Sequence, residues 1–342
     1  MTEEHTLLEA AVRDFTAQHI APHAGAWDHD GALPAKVWKS LAELGLTGVT
    51  APDTLGGAGM DVLALALVVE TVARASGSVA WLLAVHGGAA LPFALAVGDD
   101  ETAGLLARGE RIGGFALLPD ARARREGEHW WIEGRAEGVT YDPVRGLLVG
   151  VVTTSVGPTA FRIDGESIRA HHLPTLGLAA APIGTLELCG PARLLGQPGQ
   201  AGGTIETLQR QANPVFAALS IGLGQGALDA ALAYSTERKQ FGKQIADFQA
   251  IQWMLADSGT ELAAARLLTH KAAAGGDEAD ALAARLLAAE AALAIADRAI
   301  QIHGGYGYTR DYPVERFWRD AQRLLVGTDA VKAALGRLAS GG

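Results

Sequence analysis

The chain has 342 residues, with 28 Lys and Arg against 38 Asp and Glu, so its formal net charge is −10. Hydrophobic residues make up 49% and charged residues 19%, a balance that describes a packed globular protein and excludes a disordered one. The acidic surplus argues against nucleic acid and against an anionic membrane surface, because both select basic patches. The single cysteine, Cys189, excludes an internal disulfide framework and fits a reducing cytoplasm. A chain of this length buries roughly three quarters of its unfolded surface, in more than one core, so two or three packed units are expected.

Residues 1–110 read as an N-terminal all-α domain. The acidic start Met1-Thr2-Glu3-Glu4-His5 lacks the basic opening and apolar run of a signal peptide. Leu7, Leu8, Ala11, Val12 and Phe15 then recur at the spacing of one buried helix face. Pro34 suits a first helical turn ahead of Val37, Trp38 and Leu41, and Leu44-Gly45-Leu46 ends that helix. The turn-rich Ala51-Pro52-Asp53-Thr54-Leu55-Gly56-Gly57 leads into an apolar helix from about Asp61 to Arg74. From Ala75 to Gly98 there is no Asp, Glu, Lys or Arg. Ser76, Ser78, His86, Gly87-Gly88 and Pro92 break that stretch into two buried helices joined near Gly87, each too short to span a membrane.

Residues 111–200 change character. Trp130-Trp131-Ile132, Leu147 to Thr153 and Leu186-Glu187-Leu188 are short β-favouring runs separated by Gly, Pro and Asp, which predicts a middle antiparallel β-barrel or sandwich domain. The basic run Arg122 to Arg125 reads as an exposed, solvated turn. In residues 201–342 the helical period returns, over Thr204–Thr236, Phe248–Ala274, Asp277–His303 and a last helix from about Thr328. The Gly275-Gly276-Asp277 turn joins two of them, and four such helices predict a C-terminal four-helix bundle. The fold class is thus α+β and multidomain, helical, then β, then helical.

Two segments stand out. In Glu237-Arg238-Lys239-Gln240-Phe241-Gly242, followed by Phe248-Gln249, a cation and a flat ring three residues apart could face one side. A guanidinium can fork onto a pyrophosphate and a phenyl ring can lie against an aromatic cofactor. A helix–helix turn with a surface Arg and a buried Phe would give the same composition. In Gln301-Ile302-His303-Gly304-Gly305-Tyr306-Gly307-Tyr308 the glycines admit a close ligand, and free N–H groups suit phosphate oxygens. A glycine-rich helix end is as readily a simple cap, and the β–α context of a Rossmann fingerprint is missing.

Together the two segments resemble the signatures of the acyl-CoA dehydrogenase family: Arg-x-x-Phe-Gly then Phe-Gln, and Gln-x-x-Gly-Gly-x-Gly-Tyr then Pro313-Val314-Glu315-Arg316 and Arg319-Asp320. The resemblance spans nearly the whole chain. It implies a tetramer, homo- or heteromeric, that binds FAD and oxidises the α,β bond of an acyl-CoA. It also implies FAD contacts at Arg238, Phe241, Phe248, Gln249, Gln301, Gly304, Gly305 and Thr328, with the adenosine-pyrophosphate half shared with a neighbouring subunit.

Departures from the family gather at the reacting end. A thioester α-proton is weakly acidic, so the reaction needs a positioned carboxylate. The two positions where relatives carry that Glu are occupied by Val326 and Ala212, and Asn213 stands where the family has an Arg. The stretch Gln322 to Val326 is about two residues short of the family's. The flavin-touching segment is replaced by Glu137-Gly138-Val139-Thr140-Tyr141, with Thr140 the nearest substitute hydroxyl. Glu237 reads as an ion-pair residue, Asp329 as a helix cap, His86 and His303 as structural, and His171-His172 lack a third metal ligand. Some relatives are α2β2 assemblies in which a short subunit lacks the Glu and its partner supplies it. The expected function is an FAD-dependent acyl-CoA dehydrogenase-type chain completed by such a partner. The alternatives are a self-sufficient homotetramer with an unlocated base, a flavin-dependent monooxygenase of the same fold, and a non-catalytic acyl-CoA-binding scaffold.

Overall fold

The computed structural model describes residues 1–127 and 129–340. Helix α1 (Glu3–Phe15) starts at a reciprocal cap in which the Thr2 hydroxyl accepts the His5 N–H and the His5 ring accepts the Thr2 N–H. Helices α2 (Ala24–Asp30), α3 (Ala35–Glu43) and α4 (Val62–Ala73) follow. Asp61 caps α4 by accepting from the Ala64 N–H and also bonds the His5 ring at 2.9 Å, which fixes α1 against α4. Then come α5 (Gly77–Val85), α6 (Leu91–Ala96) and α7 (Asp100–Ala107).

The expected break at Gly87 does not occur. A π-helical turn over His86–Ala90 carries α5 into α6 without interruption. There the two glycines admit close neighbours, since a Cβ on Gly87 would lie 3.2 Å from the Leu65 side chain and one on Gly88 3.2 Å from Val215. Two helical stretches, Gly77–Ala96 and Ala201–Glu237, are thus long and apolar enough to cross a membrane by length and composition. Their most apolar portions are 78% and 72% buried inside the protein, so neighbouring helices already cover the surface that lipid would.

Strands β1 (Ile112–Leu117), β2 (Arg122–Glu126), β3 (His129–Thr140), β4 (Gly146–Thr154), β5 (Gly157–Ile163), β6 (Ile168–His172) and β7 (Ile183–Leu195) form a mixed sheet, not an antiparallel one. Its order is β1-β4-β5-β7-β3-β2, with β6 also on β7. Strand β1 runs parallel to β4 because the β2–β3 hairpin carries the chain across to the other half before it returns. No closed barrel forms among the described residues. Strand β7 serves both halves: Arg193 to Leu195 pair with β5, while Gly184 to Ala192 pair with β3. Leu148 and Phe161 from one half and Ile132 and Leu186 from the other enclose a core. The run Arg122–Arg125 is strand β2, not a turn; it is largely exposed, and Arg124 reaches across to Glu133.

The C-terminal helices are α8 (Ala201–Glu237), α9 (Gln249–Ala273), α10 (Glu278–His303), α11 (Val314–Leu325) and α12 (Thr328–Ser340). The bundle therefore includes α11, absent from the sequence expectation. A short hairpin, β8 (Lys239–Gln240) with β9 (Lys243–Gln244), separates α8 from α9. The main apolar core ignores the three-zone division: Val12, Leu41, Val68 and Leu83 join Leu219, Ile295 and Phe317. Burying each such side chain stabilises the fold by about 1.5–3 kcal/mol. Helix α8 meets α4 at backbone distance. A Cβ at Gly222 would stand 2.2 Å from the Glu70 carbonyl oxygen, so Gly222→Val would force the two helices apart.

Candidate functional site

The residues expected to clasp a nucleotide lie where α8, the β8–β9 hairpin and the end of α10 converge. Arg238 leaves the helix in an extended conformation, its N–H still donating to the Tyr234 carbonyl at 2.9 Å. The chain then reverses through Phe241 (φ 54°) and Gly242 (φ 84°), both left-handed, as a two-residue hairpin requires. This corrects the helical spacing argument. Arg238 and Phe241 do not share a helix face, because the helix ends at Glu237. Phe241 projects from the hairpin tip, 92% exposed, and meets Phe248 edge-on at 6.3 Å between ring centroids.

Arg238 lines a cavity of about 460 Å³ together with His303, Gly304, Gly305 and Tyr306. Its guanidinium carbon is 5.9 Å from the centre of the Tyr306 ring. Gly304 closes α10 at φ 59°, ψ −135°, a region that an L side chain rarely adopts. A Cβ on Gly304 or Gly305 would touch nothing within 4 Å in this chain, so the space in front of both is free for a ligand. His303 Nδ1 bonds the Ala299 carbonyl at 2.8 Å, while its buried Nε2 has no partner. Burial holds this imidazole below its ordinary pKa, so Nε2 presents a lone pair. Gln249 and Gln301 are exposed nearby in sequence, outside the cavity lining. Thr328 is buried, and its hydroxyl donates to the Leu325 carbonyl at 2.8 Å.

A second cluster lies where β3, α5, α8, α10 and α11 meet. The Thr140 hydroxyl accepts from Trp81 Nε1 at 2.7 Å, and Trp81 packs on Phe216 with ring centroids 5.4 Å apart. Strand β3 changes register between Ala136 and Val139, and a Cβ at Gly138 would sit 3.9 Å from Arg323 Nη2. Ala212 lies one turn before Phe216 on α8, and Val326, 65% exposed, follows the last residue of α11. Neither expected base position holds a carboxylate. Trp81, Phe216, Arg285 and Arg323 were not singled out in the sequence. One signal was present: Arg285 is the lone charge between Asp280 and Glu290 on an alanine- and leucine-rich helix.

The remaining titratable groups serve the fold. His86 is fully buried; its Nδ1 accepts the Gly113 N–H at 2.8 Å and its Nε2 faces the Thr47 and Leu106 carbonyls at 3.2 Å. Burial depresses it to about 4. Asp320, also buried, accepts the Leu178 N–H at 2.5 Å, and burial raises its carboxyl to about 7. Burial of Glu70 opposes its ionisation, but His270 and Arg266 outweigh that and hold it low. Glu237 is exposed and, contrary to expectation, has no ion pair among the described residues. His171 is exposed beside Glu187, and no group of metal-ligating side chains occurs among the described residues.

The fold and the relatives it shares define a class, a flavin-dependent oxidoreductase acting on CH–CH bonds. Residues 2–103 match the acyl-CoA dehydrogenase N-terminal domain and residues 205–336 the acyl-CoA dehydrogenase C-terminal domain. A probable acyl-CoA dehydrogenase, FadE25 of Mycobacterium tuberculosis, is 32% identical over 97% of this chain and 94% of its own length. Glutaryl-CoA dehydrogenase of Desulfococcus multivorans is 33% identical over 94% of this chain and 92% of its own. A solved glutaryl-CoA dehydrogenase in complex with glutaryl-CoA superimposes with a TM-score of 0.95 at 31% identity, covering 100% of this chain and 96% of that one. The chain belongs to the acyl-CoA dehydrogenase family, and its cofactor is FAD.

Proposed function

We propose that this chain is an acyl-CoA dehydrogenase-type subunit that desaturates the α,β bond of an acyl-CoA within an assembly whose partner chain supplies the base. The observation that carries this reading is the contrast between a furnished clasp and two empty base positions, Val326 and Ala212. The clasp faces outward: Arg238, Phe241, Gly304 and Gly305 are all exposed, as residues that reach a neighbouring subunit's nucleotide should be. The orphaned His303 Nε2 and the open space before Gly304 and Gly305 fit a nucleotide's hydrogen-bonding edge and phosphates.

When bound, FAD supplies the acceptor for the hydride that leaves the acyl β-carbon. Arg238 would hold the pyrophosphate by charge-assisted hydrogen bonds, and Phe241 and Phe248 would offer ring faces to the adenine. Gln249, Gln301 and Thr328 are assigned supporting contacts to the same cofactor. On the β side, Trp81 fixes the Thr140 hydroxyl, which would be the hydroxyl offered to the flavin. Trp81 and Phe216 wall that space with apolar surface and exclude water, which a weakly acidic α-proton requires.

The test is the visible spectrum of the chain expressed alone and with a Glu-bearing homologue. Expected are little flavin and no turnover alone, with flavin and acyl-CoA oxidation appearing on co-assembly. Full turnover by the chain alone would overturn the shared site.

A further inference from the structure

A cavity of about 900 Å³ opens between α1, α4, α8, α9 and the start of α11. It shares no lining residue with the clasp cavity and none with the cluster of Trp81, Thr140 and Phe216. Its volume is that of a small-molecule site. Four arginines line it: Arg13, Arg74, Arg266 and Arg316. Three are neutralised by carboxylates of the same cavity, Arg13 by Glu9, Arg74 by Asp229, and Arg266 by Glu70 at 2.7 Å. Arg316 is the cation left over.

Arg316 makes one side-chain hydrogen bond, from Nη2 to the Ala75 carbonyl at 3.1 Å, and its buried Nε has no partner. The carboxyls around it are engaged elsewhere. Asp28 and Glu315 each meet Arg319 at 2.6 Å, and Asp320 accepts the Leu178 N–H. Burial is the largest influence on Arg316 and opposes its charge, yet a guanidinium does not shed its proton in a protein. An anion from outside would relieve that cost. The Arg316 guanidinium carbon stands 5.4 Å from the centre of the Phe317 ring, and a planar cation braced on a ring keeps its donor edge for a carboxylate.

A second unsatisfied group borders the same space. Thr16 opens a π-helical turn, Thr16–Ile20, directly after α1, a feature frequent at functional sites. It is 6% exposed, and its hydroxyl has no hydrogen-bond partner. Between the polar groups the lining is apolar, with Ala17, Leu67, Pro313 and Phe317. One uncompensated positive charge beside apolar surface suits one negative charge on an apolar body. A second negative charge on the ligand would meet Glu9, Glu70 or Asp229.

We propose that this cavity is a further binding site, separate from the nucleotide clasp and the acyl end, for a free monocarboxylic acid with an apolar chain. The carboxylate pairs with Arg316, and the chain lies along Leu67 and Phe317. Because the lining comes from α1 and α4 as well as from α8, α9 and α11, the bound acid joins the N-terminal helices to the C-terminal bundle.

The experiment is calorimetric titration of the full-length chain with decanoate, decanol and inorganic phosphate. Decanoate is expected to bind at least about tenfold more tightly than the alcohol, the ratio expected for one charge-assisted contact, and phosphate to give no binding heat. Arg316→Gln should bring acid and alcohol to within about threefold of each other. Ala17→Trp fills the cavity from an exposed position on its wall and leaves Arg316 in place, so it should weaken acid and alcohol alike. It decides the matter even if Arg316→Gln fails to fold. Equal binding of acid and alcohol by the unaltered chain, no binding of either, or phosphate binding as tightly as decanoate would overturn the inference. Tight decanoate binding that survives Ala17→Trp would overturn it too, by placing the acid elsewhere on the chain.

Discussion

The nucleotide clasp and the acyl end of this molecule are made of different material. The clasp is largely backbone and turn: a left-handed hairpin at Phe241-Gly242, a glycine closure at Gly304, and one long cation, Arg238, with no ion pair among the described residues. The end proposed for the acyl group is side-chain packing, in which Trp81 from α5, Thr140 from β3, Phe216 from α8, Arg285 from α10 and Arg323 from α11 meet across most of the chain. The clasp depends on short contiguous motifs, so it can persist while the acyl end changes. On the proposed reading, the absence of a carboxylate at Val326 and Ala212 is then a change of role at one end of a site whose other end keeps the nucleotide motifs.

The largest expected effect comes from attacking the clasp. Arg238→Ala removes a charge-assisted phosphate contact worth about 1.5–3 kcal/mol, so FAD affinity of the assembled protein should fall about 10- to 100-fold. Equilibrium dialysis of FAD measures it, and unchanged affinity would separate Arg238 from the nucleotide. Thermal stability should move little, since the side chain is exposed and has no ion pair among the described residues.

Next is the pH dependence of the junction that holds α11 under the β domain. Asp320 keeps its proton to about pH 7 when folded, against 3.8 when unfolded. The folded state thus binds more protons between those values, and stability from this group falls as pH rises from about 4 to 7. Burial is the main cause, with Asp28 adding to it and Arg316 and Arg319 opposing. Asp320→Asn keeps an acceptor for the Leu178 N–H and has no such titration. Urea unfolding midpoints at pH 5 and pH 8 should differ less in the variant than in the parent. A steeper pH dependence in the variant would contradict the assignment.

Smaller still is the expected gain from restoring a base. Val326→Glu places a carboxylate at the family position, but on an exposed turn that follows a shortened connection from Arg319. It should give the chain alone little or no acyl-CoA-dependent flavin reduction, measured anaerobically at 450 nm. Reduction at a rate comparable to that of the co-assembled protein would show that the acyl end lacks only a base.

The same difference in material explains what the sequence made legible. Helices and cores announced themselves by period, as in Leu7 to Phe15 and Asp61 to Arg74, and the clasp by its glycines and motif spacing. The uninterrupted α5–α6 helix did not, because Gly87-Gly88 reads as a break when the tertiary demand is for Leu65 and Val215 to approach closely. The parallel β1–β4 pairing was hidden because strand direction depends on where the β2–β3 hairpin carries the chain, which no local pattern encodes. Helix α11 was overlooked between two motifs although its apolar residues Val314, Phe317, Ala321 and Leu324 are all buried. Arg285 and Arg323 are 38 positions apart in sequence, and only the crossing of α10 with α11 makes them neighbours.

Phe241 offers the finest separation of function from fold. Its φ of 54° costs an ordinary L residue about 1–2 kcal/mol, and a side chain 92% exposed recovers little of that by packing. Asn tolerates this conformation far better. Phe241→Asn should therefore stabilise the chain by about 1 kcal/mol and raise its melting temperature by about 1–2 °C. The same change removes a ring that the clasp reading assigns to the adenine, worth about 0.5–1.5 kcal/mol, so FAD affinity should fall a few-fold. Calorimetric melting of the FAD-free chain and dialysis of FAD against the assembled protein give the two numbers. A chain that melts higher and holds FAD less tightly would mean that the strained phenylalanine is kept for the ligand. Destabilisation would instead place the ring in service of the hairpin, through its edge contact with Phe248.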